Sequence, residues 1–268
     1  MSAALRITGR TGILFLLADP VAHVVGSDRL NARFAAEGLD MAVSPLHVQP
    51  KDLATVIGTL RLLQNVRGFG VTIPHKIAVM PLLDAVTPRA RLIGAVNFVR
   101  RDPDGRLTGD NLDGQGFVDG LAASGIGLAG RRVLQLGAGG AGRAVAFAVA
   151  EAGASALVIH NRTAARAQAL AEAVGAAWPG CAAASGPDDP RGFDVVINTT
   201  SMGMHEGDPL PMDVGRLAAS TDVAEIIMTP ALTPLLVAAQ ARSCRISLGT
   251  SMLDAQYGLV KQLLGIPS

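Results

Sequence analysis

The sequence predicts an α/β fold in two domains, on three observations. Strand-like and helix-like stretches alternate along most of the chain, as in parallel βαβ units. A glycine-rich turn joins a strand-like run to a helix-like run near its middle. The chain has 268 residues, 49% of them hydrophobic, which suits two modest domains or one large α/β domain with a sizeable core.

The elements follow in order. GILFLLA (12–18) is an apolar run of strand length. SDRLNARFAAEG (27–38) carries Leu30 and Phe34 at helical spacing and stops at Gly38. MAVSPLHV (41–48) reads as strand, and 50–64 as helix with Pro50 at its start. VRGFGVTI (66–73) is the next strand. A second series opens at Arg131: strand RRVLQL, turn GAGGAG, helix RAVAFAVAEAG, strand ALVIHN and helix TAARAQALAEAVG. Two further strands, FDVVINTTS and DVAEIIM, follow. The expected division is residues 1–112, completed by a C-terminal helix over 249–268, and residues 113–248.

The turn contains Gly137-x-Gly139-x-x-Gly142. After a strand and before a helix, such glycines let the backbone approach a pyrophosphate, and the helix start offers free N–H groups. The second domain is therefore expected to be Rossmann-like. The next strand ends without the carboxylate that would bond a ribose 2′-hydroxyl. In its place stand Asn161, Arg162, Thr163 and Arg166. Two guanidiniums suit a 2′-phosphate, and the helix dipole disfavours cations here unless an anion joins them. NADP is the expected cofactor; Thr163 either caps the following helix or touches the phosphate.

GFGVTIPHK (68–76) places Lys76 just past a strand's carboxyl end, where α/β proteins bind ligands. On spacing alone it reads as an exposed lysine opening a helix. As a catalytic group it would carry the hydroxyl proton, with Asp113 as partner. A nearby carboxylate favours proton donation, and burial favours base catalysis.

In order along nearly the whole chain, from Pro20 to Gln256, the motifs resemble those of the shikimate dehydrogenase family. VTIPHK is similar to its V-T-x-P-x-K, which implies catalysis by Lys76 and substrate contact by Thr72. GAVN (94–97) implies substrate contact for Asn97, and GDNLDGQGF a catalytic Asp113. GAGGAG implies cofactor contacts along Gly137, Ala138, Gly139, Gly140, Ala141 and Gly142. NRTAAR resembles the family's 2′-phosphate loop. NTTSMGM implies nicotinamide-side contacts at Thr199, Thr200, Ser201 and Met202. TPALTPLL and MLDAQ match late segments, with Gln256 at the substrate and Gly249 and Met252 at the cofactor. The implied fold is an N-terminal α/β substrate domain and a Rossmann-like NADP domain, with the site between them. The implied reaction is hydride transfer between NADP and a ring hydroxyl, on shikimate, quinate or a related cyclic compound.

The departures cluster. The family's two carboxylate-binding serines fall on Val24 and Gly26, and Ser27 is one residue late. Threonines of the family fall on Phe98 and Leu112, and its late tyrosine on Met228. A buried carboxylate stripped of donors costs several kcal/mol. The alcohol end of the site is thus expected to be retained and the carboxylate end altered.

Other classes lose ground. The net charge is +1 and the arginines are scattered, so no nucleic-acid surface is expected. The apolar run at Ile13–Ala18 is too short to span a membrane, and the expected location is the cytoplasm. Cys181 and Cys244 read as two reduced thiols. His23, His47, His75, His160 and His205 have no metal spacing, and no metal is expected. Tyr257-x-x-x-Lys261 imitates the proton-transfer pair of short-chain dehydrogenases but reads as one face of a terminal helix. A sensor that binds NADP(H) without turnover is the rival from another class. The expected partner is a small cyclic hydroxy acid or ketone, and the chain a monomer or homodimer.

Overall fold

The computed structural model describes residues 6–22 and 24–267. They form two compact units: the chain up to Leu112 together with the stretch from Tyr257 on, and Asp113–Gln256.

The first unit holds β1 (Gly12–Ala18), α1 (Gly26–Ala36), β2 (Met41–His47), α2 (Leu53–Leu62), β3 (Val66–Val71), α3 (His75–Ala78), β4 (Ala85–Val86), α4 (Pro88–Ile93), β5 (Phe98–Arg101) and β6 (Leu107–Asp110). Its sheet runs β2-β1-β3-β5-β6-β4. β1 pairs in parallel with β2 and β3, and β5 is antiparallel to both β3 and β6. The sequence expectation of parallel units thus holds for β1, β2 and β3, while β5 and β6 form a hairpin it did not foresee. Pro45, which has no N–H to give, lies in the edge strand β2.

Strand alternation divides the apolar residues between the two faces. Leu17, Phe69 and Val71 pack with Leu53, Ile57 and Leu60 of α2. Leu14 and Leu16 pack with Leu30 and Phe34 of α1 and with Tyr257 and Val260. On that second face β3 presents Gly68 and Gly70. A Cβ at Gly70 would lie 2.4 Å from Leu16 Cδ2, and one at Gly68 only 2.3 Å from Val99 O. The glycines of GFG are the room that lets neighbours close over the strand.

The second unit holds α5 (Asp113–Ala123), β7 (Arg132–Leu136), α6 (Gly140–Glu151), β8 (Ala156–His160), α7 (Ala164–Ala177), β9 (Ala182–Ser185), β10 (Val195–Asn198), β11 (Asp222–Glu225), α8 (Pro234–Ala241) and β12 (Ile246–Ser247). Its sheet is parallel throughout, in the order β12-β11-β10-β7-β8-β9. The fold class is α/β, as the alternation implied. α6 starts three residues before the expected helix, so Gly140 and Gly142 are helical. Thr233 caps α8 by accepting from Leu236 N, with Pro234 at the first helical position.

The last helix, α9 (Gly249–Leu264), was expected to belong wholly to the first domain. Its residues up to Gln256 group with the second unit instead, and α5 is the reason. A Cβ at Gly116 would meet Gln256 Cγ at 2.5 Å, and one at Gly120 would meet the Ser251 backbone at 2.7 Å. Two side-chain-free positions, one helical turn apart, admit α9 to backbone contact.

Candidate active site

In the first unit the candidate residues surround the end of β3. Val71 N donates to Asn97 O at 2.8 Å, and Thr72 N to Leu17 O at 3.0 Å. Val96 N donates to Lys76 O at 2.8 Å, so the backbone itself ties the lysine segment to the Ala95–Asn97 segment. Asn97 is buried, and its Oδ1 accepts from Leu112 N at 2.8 Å. Lys76 and Thr72 are half-buried. His75, with no exposed surface, bonds Val48 O through Nε2 at 2.8 Å. That buried ring anchors α3 and fixes where the lysine after it departs, a structural role in line with the sequence reading.

The altered positions also lie in this unit. Phe98 and Leu112 are buried members of the apolar cluster around Leu14, Leu16 and Phe34, and Val24 packs against it. Gly26 opens α1, where a Cβ would lie 3.2 Å from Leu16 Cδ1, and Ser27 is buried. Three positions that bear hydroxyls in the family pattern here join one continuous hydrocarbon surface.

In the second unit Asp113 begins α5 and is buried. Gln256 Nε2 donates to Asp113 Oδ1 at 3.1 Å. The amide orients the carboxylate, and Gly116 makes room for the glutamine stem.

The glycine turn bridges β7 and α6. Gly137 has φ +106°, which only glycine adopts readily. Cβ atoms at Gly139 and Gly140 would meet nothing within 4 Å, so the turn is open on the side of the helix start. Cβ atoms at Gly137 or Gly142 would each come within 2.6 Å of Thr199 Oγ1. Thr199 donates to Leu136 O at 2.9 Å, which makes it a brace beneath the turn. Asn161 is a second brace: its Oδ1 accepts from Ala138 N, and its Nδ2 donates to Thr163 O.

Beyond Asn161, Arg162 and Arg166 are exposed, and among the described residues neither has an acidic partner. Thr163 precedes α7 without a side-chain cap bond. The open turn, the 12-residue helix behind it and the two unpaired guanidiniums fit a dinucleotide bearing a 2′-phosphate.

The segment after β10 is held from below. Asn198 Oδ1 accepts from Thr200 N and Oγ1, and its Nδ2 donates to Met202 O and Glu225 Oε2. Ser201 is exposed and Met202 half-buried. Glu225 also accepts from Ile226 N, Ile227 N and Thr233 Oγ1. A Cβ at Gly249 would lie 2.2 Å from Ile227 O, so α9 begins in backbone contact with this segment. Met252, one turn on, is buried.

Neither Gln135, whose amide bonds the turn, nor Glu225 was singled out from sequence. The available signal was a polar residue inside a largely apolar run, Gln135 in VLQL and Glu225 in VAEIIM.

Burial raises the Glu225 carboxyl to about 7, against the lowering effect of its hydrogen bonds to Asn198, Ile227, Ile226 and Thr233. Its folded pKa exceeds the unfolded value, so its contribution to stability is complete below about pH 4.5 and fades as pH rises through about 7. The swing is on the order of 3 kcal/mol. Glu225→Gln is expected to flatten that part of the stability curve. Urea denaturation at pH 5 and pH 8 checks it; an unchanged difference between the two would refute it.

The remaining candidates have structural surroundings. Tyr257 packs against Phe34 with the rings tilted and their centroids 5.7 Å apart, and burial and Glu37 push its phenol up to about 12, far from a neutral-pH proton carrier. Lys261 pairs with Glu37 at 2.6 Å. His47 bonds Asp19, His160 faces Gly186 O, and His205 N donates to Asp208, while His23 lies outside the described residues. Among the described residues no group of three His, Cys, Asp or Glu is placed to hold a metal. Cys181 and Cys244 are buried, unbonded to each other, and burial raises both thiols. No helix of the described residues is long and apolar enough to cross a membrane.

Comparison with known proteins shows the family. Residues 16–99 match the family described as shikimate dehydrogenase substrate binding domain, and residues 120–204 the family shikimate / quinate 5-dehydrogenase. A relative in Geobacter metallireducens, named shikimate dehydrogenase (NADP(+)), is 43% identical over 93% of this chain and 90% of its own. The crystal structure of 5-ketofructose reductase of Gluconobacter sp. strain CHM43 superposes with TM-score 0.87 at 34% identity, covering 96% of this chain and 94% of that one. Shikimate 5-dehydrogenase from Thermus thermophilus, in complex with NADP(H) and shikimate, gives 0.86 at 33% identity, with coverage of 96% and 95%. On these matches, the chain belongs to the shikimate dehydrogenase family.

Proposed function

We propose that this protein is an NADP-dependent oxidoreductase of the shikimate dehydrogenase type, interconverting a secondary alcohol and its ketone. The observation that carries the reading is the open glycine turn with two unpaired guanidiniums at the tip of the neighbouring strand. NADP, when bound, takes or supplies the hydride. Lys76 takes the hydroxyl proton in oxidation and returns it in reduction. Asp113, held by Gln256, accepts a hydrogen bond from the reacting hydroxyl and orients it. Asn97 and Thr72 stand on the segments tied to Lys76 by backbone bonds and contact the other hydroxyls. The unit containing Lys76 serves the substrate and the unit with the glycine turn serves NADP. Arg162, Thr163 and Arg166 hold the 2′-phosphate. The protein works in the cytoplasm, as a monomer or homodimer.

A second reading concerns the substrate, and one observation favours it. Val24, Phe98 and Leu112 share an apolar cluster where the family pattern has hydroxyls for a cyclic acid. A ketone without a carboxylate, such as the 5-ketofructose named for one structural neighbour, loses nothing there. NADPH oxidation with 3-dehydroshikimate, 3-dehydroquinate and 5-ketofructose tests both readings. The uncharged ketone is expected to give kcat/KM at least about ten-fold higher than either acid. The opposite ranking restores the acid as substrate. NADPH binding without turnover of any ketone leaves a sensor.

A further inference from the structure

Gln135 occupies the centre of the second unit's sheet, on β7. Its strand neighbours in register are Ile159 and Ile197, and all three are fully buried. A primary amide is an expensive residue at such a place, because its four hydrogen-bonding sites must find partners. Two do. Nε2 donates to Gly137 O at 2.9 Å and to Gly142 O at 2.8 Å. Oε1 finds none among the described residues. A leucine here would fill similar space and strand no acceptor, so core stability alone gives no reason for the amide.

What the amide does is geometric. Gly137 is the first residue of the turn and has positive φ; Gly142 lies in the first turn of α6. One nitrogen therefore spans both ends of the loop whose open middle, Gly139 and Gly140, would face a pyrophosphate. Thr199 Oγ1 reaches Leu136 O and Gly137 O from the neighbouring strand's end and grips only the entering arm. The Gln135 side chain is what links the entering arm to the helix start.

We infer that Gln135 is a positioning residue for the dinucleotide: its amide sets the curvature of the Gly137–Gly142 turn and so the aim of the backbone N–H groups at the helix start. The inference rests on the NADP reading above. Gln135 makes no contact with the ligand and takes no part in the proton or hydride steps.

The test is Gln135→Leu, with Gln135→Met as the second variant should leucine fail to fold. Each is measured by thermal melting without ligand, by calorimetric titration with NADPH and by steady-state kinetics. The melting temperature is expected to hold or rise, since an unpaired buried acceptor is removed. The NADPH dissociation constant and the KM for NADPH are expected to rise about ten-fold, equivalent to about 1.4 kcal/mol. kcat at saturating NADPH and the KM for the ketone are expected to stay within about two-fold. A folded variant that binds NADPH as the parent does overturns the inference and leaves the NADP reading standing. A parent protein that binds no NADPH overturns both.

Discussion

Lys76→Ala is expected to lower kcat by about 10²–10⁴-fold while NADPH binding is unchanged. β3 ends at Val71, the buried His75 ring pins the short α3, and Lys76 O accepts from Val96 N. The side chain therefore leaves from a backbone held on both sides, beside the segment carrying Asn97. Removing the ammonium takes away the only proton carrier proposed for the reacting oxygen. It leaves the glycine turn, Arg162 and Arg166 untouched, because they belong to the other unit. Lys76→Arg separates charge from proton transfer: guanidinium keeps the charge but does not give up a proton near neutral pH. It is expected to be nearly as slow as alanine. Pre-steady-state NADPH oxidation and calorimetric titration check the split, and a Lys76→Ala protein retaining more than about a tenth of parental kcat would refute the role.

Arg162→Ala combined with Arg166→Ala is expected to weaken NADPH binding by about 10²-fold and NADH binding hardly at all. A hydrogen bond to a charged group is worth about 1.5–3 kcal/mol, and these sites are exposed, so the lower end applies to each arginine and about 3 kcal/mol to the two together. Arg162 lies just before α7 and Arg166 in its first turn, where the helix dipole opposes cations, and neither has an acidic partner among the described residues. The double variant is also expected to gain slightly in stability. Titration with both nucleotides at low and high salt reads the effect; the NADPH advantage of the parent should shrink with salt and that of the variant should not. Equal losses for NADPH and NADH would mean that the arginines act on the turn and not on the 2′-phosphate.

The parts of the fold written in short-range patterns were readable without coordinates. β1, β7 and β8 are apolar runs bounded by turns, and α7 has helical periodicity between Thr163 and the Trp178 end. The glycine turn was readable because its constraint is local: φ at Gly137 and open space at Gly139 are properties of a few consecutive residues. The β5–β6 hairpin was missed because FVRR and LTGD are short and mixed in polarity, and their pairing is set by tertiary neighbours. The division of α9 at Gln256 was invisible for a related reason. It depends on Gly116 and Gly120, more than a hundred residues earlier, meeting Gln256 and Ser251. Gln135 and Glu225 escaped because a single buried amide or carboxylate looks like noise in an apolar strand until its partners are seen.

The apolar face formed by Leu14, Leu16, Phe34 and Phe98 is closed by Tyr257 and Val260. During translation those hydrocarbons emerge early, yet the residues that cover them leave the ribosome only after the whole of Asp113–Gln256 has been made. The nascent chain must carry an unsealed half-core while Asp113–Gln256 is made, with the association hazards of exposed hydrocarbon. A stop codon before Tyr257 would thus uncap a face built from residues of the first hundred.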